Sequence, residues 1–440
     1  MISKITDQPI MKETAIGTLP ADWNVFKLSE LGTFLKGKGI AKKDISTVGS
    51  LCILYGELYT KYHEIIKNVY SKTQVDTTKC VSGFRNDVLI PSSGETAIDI
   101  ATASALQMDG VLIGGDINIF RPKENVYGPF ISYLINSTRK RELAKLAQGS
   151  SVYHLYASAL NEFQVALPSL NEQQRITEIL STVDEQIENT LQLIEKTKEL
   201  KKGLMQQLLT KGIGHTKFKQ TELGEIPEEW EVLTFANLLD NKILQLVQDG
   251  NHGEKHPRSS EYVSRNEEDA VPFLMATDVK DGRINYKKCN FITFKQARSL
   301  RIGHCFPGDI ILTHKGSVGR VACVGDEYNY LMLSPQVTFY RIAEKSRLNP
   351  LFLKYFFESE AFQNKLKRIS FQTTRSYIGI GEQKKQSMLL PNISEQKKIV
   401  TILSTVDEQI EMYQLERENY RELKKGLMQQ LLTGKVRVKV

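Results

Sequence analysis

The sequence predicts an α/β (α+β) protein: two globular blocks joined by two long antiparallel helices that pair as a coiled-coil-like spacer, written as a pseudo-twofold internal repeat. Three observations predict it. First, ILSTVDEQIE at 179–188 recurs at 402–411 and ELKKGLMQQLLT at 199–210 recurs at 422–433, both at an offset of 223 residues. Across 167–210 and 390–433, 28 of 44 positions are identical without a gap, which chance does not produce. Second, a shared frame T-x-[IL]-G-x-[LI]-P-x-x-W-x-V opens each half, at Thr14 and at Thr221. Third, the stretches between these shared segments differ from each other, yet both carry short apolar runs set off by Gly, Pro and Asp.

The repeated segments read as helices. Residues 171–210 hold no proline and a single glycine, Gly203. Apolar positions Ile176, Ile179, Leu180, Val183, Ile187, Leu191, Ile194, Leu200, Leu204 and Leu208 recur at steps of three and four. Pro168 precedes the run, Asn171 is the expected N-cap, and Gly212 and Gly214 are stop signals. The second copy is expected to run from Ser394, as its cap, to Gly434. About 40 residues at ~1.5 Å each make a rod of about 60 Å, too long to bury its stripe inside one compact domain. Its natural partner is the other copy, packed antiparallel. The leucines are struts in this reading. The polar residues Lys201, Lys202, Gln206 and Gln207, which recur as Lys424, Lys425, Gln429 and Gln430, are candidates for meeting the same partner at two places. The helix middles TLQLIEKTK and YQLERENYR have drifted apart, so recent duplication does not account for that identity.

In the first block CILY, VLI and INIF have strand length; in the second, PFLM, IILT, RVACV and QVTFY do. Each block then offers a helical stretch, FISYLINSTRKRELAKLA or LFLKYFFESEAFQNKLKRI, followed by a polar loop. Asp87 aligns with Asp309, Gly94 with Gly316 and Arg121 with Arg341, which predicts one fold carrying different loops. Recognition concentrates in loops. Those of the first block present Lys36, Lys38, Lys42 and Lys43; Tyr55, Glu57, Tyr59 and Lys61; Ser93, Glu95 and Thr96; and Ser151, His154 and Tyr156. Those of the second present Asn251, His252, Lys255 and Arg258; Lys315, Ser317 and Arg320; Gln336; and Gln372, Thr373, Thr374 and Arg375. Basic and amide side chains bond base edges, while hydroxyls and backbone N–H groups take phosphates. Many of the same residues also serve turns.

Composition narrows the class. At 440 residues and 41% hydrophobic, the chain has material for two to three cores. No run of eighteen apolar residues exists, so no membrane helix is expected. The opening MISKITDQPIMKET is polar, so no secretory leader is expected either. The five cysteines, Cys52, Cys80, Cys289, Cys305 and Cys323, are odd in number and form no CxxC pair, which suits a cytoplasmic location. A net charge of +7 permits a nucleic-acid partner. It is spread evenly: 14–166 hold 16 basic against 14 acidic residues, and 221–389 hold 23 against 21. Nucleic-acid binding therefore requires segregation of charge onto one face.

Catalytic signatures are missing. No GxxxxGK[ST] loop is present. In PGDIILTHK, Thr313 stands where a nuclease would place a second metal-binding acid. His252 and His256 are four apart, but Gly253 and Pro257 oppose the helix that would make them a zinc pair. Asn349-Pro350-Leu351-Phe352 lacks the second proline of an adenine-methyltransferase motif. The chain is expected to hold no metal or cofactor and to act by binding rather than as an enzyme.

From Thr14 to about Lys435 the layout resembles the specificity subunit of type I restriction–modification systems. The resemblance rests on G-x-[LI]-P-x-x-W at both block starts, LP-x-[LI]-x-EQ at Leu167 and Leu390, and the duplicated helical strings. YGELYTKY, SGETA, GGDINI and SSVYHLY resemble one class of target recognition domain; DGNHG, KGSVGR and LSPQ resemble another. It implies a tail at 1–13, recognition domains at 14–166 and 215–389, a central helix at 167–214, and a C-terminal helix with basic tail at 390–440. Each domain would read one half of a bipartite, asymmetric site in double-stranded DNA. The helices would set the gap and dock two methyltransferase subunits. S-adenosylmethionine, ATP and Mg would belong to those subunits and to restriction–translocase subunits. A non-catalytic coiled-coil adaptor for proteins is the alternative that the helices alone allow.

Overall fold

A computed structural model of the chain describes residues 10–253, 255–371 and 377–439. The chain divides into two compact units. One gathers the residues up to Gln192 with those from Tyr413 onward; the other is Leu193–Met412.

The first unit opens on the hairpin Met11–Thr14 with Gly17–Pro20. Asn24–Lys27 then pairs antiparallel with Gln164–Leu167, so the entry and exit of the block lie side by side. Between them lie two five-stranded sheets. One runs Gly32–Lys36, Ile117–Pro122, Val88–Pro91, Ser104–Leu106, Ile65–Ile66; the other runs Ile45–Ser46, Ser71–Thr73, Ser50–Ile53, Val111–Ile113, Val81–Gly83. Central strands such as Val88–Pro91 are buried along their length, which explains their unbroken apolar sequence. Trp23, Phe120, Phe130 and Tyr133 form the heart of the core.

The second unit repeats the plan. Phe218–Thr221 and Gly224–Pro227 make its hairpin, and Glu231–Thr234 pairs with Ser387–Leu390. Its sheets have four strands each: Leu244–Asp249, Val337–Ile342, Ile310–Thr313, Val321–Cys323, and Asn290–Thr293, Ala270–Leu274, Leu331–Leu333, His304–Cys305. Trp230, Phe235, Tyr340, Phe352 and Phe357 fill its core. The helical stretch expected as one piece is two in each block: Gly128–Asn136 and Lys140–Lys145, and Pro350–Glu358 and Glu360–Phe371.

The aligned Asp–Arg positions form the same pair twice. Arg121 grips Asp87 through Nε (2.9 Å) and Nη2 (2.7 Å); Arg341 grips Asp309 at the same two distances. Each carboxylate also accepts the N–H of an aromatic three residues earlier, Phe84 or Phe306, both at 2.9 Å. Each guanidinium lies 4.8 Å from the centre of that same ring. Two blocks with unlike loops thus share one internal brace.

The repeated segments form the helices Leu170–Leu208 and Ile393–Leu431, 39 residues each. Their caps lie two residues earlier than Asn171 and Ser394. Ser169 Oγ accepts from Glu172 N at 3.3 Å, and Asn392 Oδ1 accepts from Glu395 N at 3.0 Å. The capping oxygen must stand three residues before the orphan N–H, and Leu170 and Ile393 already lie inside the first turn. In the first unit Ile176 and Leu180 share a core with Met428 and Leu431. In the second, Met205 and Leu208 share one with Ile399 and Leu403. Within the first unit Glu172 meets Arg437 and Asp184 meets Lys424; within the second Lys201 meets Asp407 and His215 meets Glu395; the helices therefore run antiparallel in each unit.

Ion clusters mark both pairings. Lys424 Nζ meets Asp184 (2.7 Å) and Glu64 (2.9 Å) in the first unit. Lys201 Nζ meets Asp407 (2.7 Å) and Glu358 (3.5 Å) in the second. The hydroxyls of Tyr133 and Tyr355 donate to Asp184 (2.5 Å) and Asp407 (2.8 Å). Glutamines at matched positions do the same work: Gln173 Oε1 accepts from Tyr127 N and Gln396 Oε1 from Asn349 N, both at 2.9 Å. Beyond each helix the chain docks on the base of its unit. Arg437 pairs bidentately with Asp22 and with Glu172, while His215 Nε2 and Trp230 Nε1 meet Glu395.

Candidate DNA interface

The two blocks carry their loop residues on one shared frame. In the first, Ser93 pairs with His154 and Gly94 with Tyr153 in a two-residue ribbon. A Cβ on Gly94 would lie 2.6 Å from Ile100 Cγ2, so a side chain there would force Ile100 to shift. In the second, Lys315 bridges Tyr377 at the corresponding place, and Gly316 turns the chain with φ +76°. A backbone bond just inside is also shared: Leu155 N donates to Ser92 O, and Ile378 N to His314 O, each at 3.0 Å.

The first block brings several expected contacts together. Lys36, His154 and Tyr156 line one cleft of about 390 Å³ with Asp116 and Asn118. The rings of His154 and Tyr156 stack at 6.0 Å, and Tyr55 and Tyr59 lie 6.5 Å apart. Tyr55 and Tyr156 are exposed aromatics, the surface type that stacks on bases or sugars. Burial, with Tyr55, Glu95 and Asp99 nearby, pushes the Tyr59 hydroxyl above its ordinary range, so it is a neutral donor. Lys38, Lys42, Lys43, Glu95 and Ser151 are exposed, the first lysine pair on the turn Lys42–Asp44 being Lys42 and Lys43.

Other residues of that block hold the structure. Glu57 is buried and receives Lys61 Nζ (2.7 Å), Ser71 Oγ (2.6 Å) and Leu54 N (3.0 Å). Burial acts to raise its carboxyl, but these bonds outweigh burial and hold it below the ordinary range. Lys61 is thereby engaged. Thr96 caps the helix Ala97–Ile100, and Ser93 is buried in the ribbon.

In the second block His252, Lys255, Arg258 and Lys315 are exposed. Asn251 is 3% exposed and its N–H donates to Leu333 O at 2.7 Å, so its role is to seat the loop. Arg320 donates to the carbonyls of Ala276 and Val279, both at 3.2 Å, and Gln336 Oε1 accepts from Ala276 N at 3.2 Å. Ser317 offers its carbonyl to Thr313 Oγ1, which closes the turn. Gln372, Thr373, Thr374 and Arg375 lie outside the described residues.

On the helices, Lys202, Gln206, Gln207, Lys425, Gln429 and Gln430 are exposed. Lys201 and Lys424 are not: their side chains are 19% and 17% exposed and their ammonium groups face internal carboxylates. Of the eight candidates for meeting a partner, these two run inward, because a lysine stem can do so when anions receive its head. Sequence reasoning also passed over the polar group of buried His314, Thr338 and Gln383 with half-buried Asp249 behind the second block's loops. Its one trace in the sequence is a histidine ending the apolar run IILT. Among the described residues no cluster of His, Cys, Asp or Glu is arranged to hold a metal ion, and no helix is long and apolar enough to cross a membrane.

This is a pair of like frames presenting unlike polar loops, each closed by paired helix segments. Residues 20–199 and 261–421 match the family model described as the type I restriction modification DNA specificity domain, and the chain belongs to that family. It is 28% identical over 434 residues to the type I restriction enzyme MjaVIII specificity subunit of Methanocaldococcus jannaschii, covering 96% of this chain and 94% of that one. It is 22% identical to the EcoKI specificity subunit of Escherichia coli K12, covering 87% and 82%. Its fold is like that of the S subunit of the type-I restriction-modification system from M. genitalium, with a TM-score of 0.58 at 15% identity, covering 93% and 96%. A chain from a study of complex assembly and conformational transition in a type I R-M system scores 0.57, covering 95% and 99%.

Proposed function

We propose that this chain gives a type I restriction–modification complex its DNA sequence specificity, each block reading one half of a bipartite, asymmetric site. The observation that carries this reading is the doubled frame: one brace and one backbone ribbon, dressed with different side chains. Like frames suit like tasks on the two halves of a duplex site, and unlike loops give unlike half-sites. The exposed lysines, tyrosines and histidines supply phosphate contacts and stacking faces.

One half-site of a few base pairs discriminates weakly, since each mismatch costs about 1–3 kcal/mol. Two readers on one chain make the second contact intramolecular and multiply selectivity. The paired helices set the gap and dock two methyltransferase subunits through the exposed Lys202, Gln206, Gln207, Lys425, Gln429 and Gln430. S-adenosylmethionine, ATP and Mg act on those partners and on restriction–translocase subunits, and the chain itself works in the cytoplasm without catalysing a reaction.

The test is methylation mapping of cells carrying this chain with its modification subunits, alongside salt-dependent gel shifts of the assembled complex. An interrupted, non-palindromic methylated motif is expected. A complex with no sequence preference in its DNA binding would overturn the reading in favour of a protein adaptor.

A further inference from the structure

We infer that His314 is a positioning residue for sequence reading by the second block, its buried imidazole joining the loop segments that carry that block's candidate DNA contacts. The inference rests on the proposed reading of DNA by this block.

His314 is 2% exposed. Its Nδ1 meets Thr338 Oγ1 and lies 3.3 Å from both Gln383 Nε2 and Asp249 Oδ1. Its Nε2 is 3.2 Å from the carbonyl of Pro335. Its own backbone N–H donates to Gln336 O at 3.0 Å, and its carbonyl accepts from Ile378 N at 3.0 Å. The partners are tied to one another as well. Thr338 Oγ1 donates to Asp249 at 2.6 Å, and Gln383 Nε2 donates to Thr338 Oγ1 and Ile378 O, both at 3.0 Å.

Each tie leads to a different loop. Asp249 enters the segment holding Asn251 and His252; Pro335 and Gln336 belong to LSPQ; Lys315 follows His314 directly; Ile378 adjoins Tyr377, which bridges Lys315. The ring thus ties the segment after Asp249 to LSPQ directly and reaches Ile378 through Gln383, while the backbone of the same residue holds Gln336 and Ile378.

The first block shows that the frame itself does not need this ring. There Ser92 occupies the equivalent place, its carbonyl accepting from Leu155 N as that of His314 accepts from Ile378 N. Asn118 alone completes the tie, donating to Leu155 O at 2.9 Å. A serine suffices for the shared fold, so the imidazole network serves what is particular to the second block, its loops. Hydrogen-bond readout of base edges is steep in distance and angle, so loop placement translates into base discrimination.

The experiment uses the full chain assembled with its modification subunits. His314→Ala removes the network; His314→Asn keeps a group at the Nδ1 side and restores it in part. Binding is measured by competition against duplexes carrying single-base changes in each half-site, together with methylation mapping. For His314→Ala, discrimination at the second half-site is expected to fall tenfold or more, with the first unchanged, and His314→Asn is expected to lie between. A Phe357→Leu variant, which loosens the core of the same unit away from the loops, serves as the stability control; it should lower affinity without changing base preference. An unaltered motif and unaltered discrimination in His314→Ala overturn the proposal. So does a loss shared equally by both half-sites, or a change in base preference matched by Phe357→Leu. A wild-type complex without sequence preference would instead sink the DNA reading on which the proposal rests.

Discussion

At the scale of single residues, buried charge with designated partners separates what is structural from what is functional. Burial acts to raise Glu64, but the Lys424 ammonium outweighs it and holds that carboxyl below its ordinary range. Its contribution to stability is therefore full above the ordinary glutamate range and drains as pH falls through the lowered value. Asp184, pushed up by burial, works the other way. Lys424→Met strips both carboxylates of their cation and is expected to destabilise the first unit by about 3–5 kcal/mol at neutral pH. With burial then opposed only by a backbone hydrogen bond and His63, Glu64 would lose stability as pH rises from acid toward neutral, reversing its sign. The two tryptophans, Trp23 and Trp230, fall one in each unit, so a Trp230→Phe background lets urea unfolding followed by fluorescence report the first unit alone. The sequence displayed Lys201 and Lys424 as repeated cations but not their direction. Identity between repeats arises equally from a shared outside partner and from the repeats meeting each other, and at these two positions the second cause operates. Asp87 and Arg121 were legible as an alignment; that they grip each other follows only from strand pairing distant in sequence.

At the scale of elements, the helices were the most legible feature because their period repeats over eleven turns of chain, about 39 residues at 3.6 per turn. Their starts were less so: Ser169, Asn171, Asn392 and Ser394 are all good capping residues, and only the hydrogen bonds decide among them. Ser169→Ala and Asn392→Ala should each cost about 1 kcal/mol in thermal or urea unfolding, whereas Asn171→Ala and Ser394→Ala should change little. Inserting four residues in the diverged middle of the first helix adds about 6 Å, roughly two base-pair steps. Methylation mapping should then find the gap lengthened and both half-sites retained; an unaltered gap would refute the role of the helices as a ruler. Strands such as Ile65–Ile66 or Ser93–Gly94 are two residues long, too short for any periodic signal, and they exist because a neighbour supplies the ladder.

At the scale of the whole molecule, the repeat predicts modular reading. Replacing residues 221–389 by a block of another class should change one half of the methylated motif and leave the other intact; change in both halves would count against independent readers. The duplication and its helices were plain in the sequence, since identity survives wherever two copies must satisfy one geometry. The site was only partly plain, because loop residues such as Glu57, Thr96, Asn251 and Arg320 look alike whether they face a ligand or their own backbone. One arrangement reaches beyond recognition. The first block's base is finished by Met428, Leu431 and Arg437, which the ribosome makes only after the entire second block. The earlier-born half must therefore wait, incompletely sealed, while the later-born half already owns every piece it needs. A chain truncated after Met412 should accordingly resist protease across 215–389 while being cut within 14–166, and the full-length chain should abolish that difference.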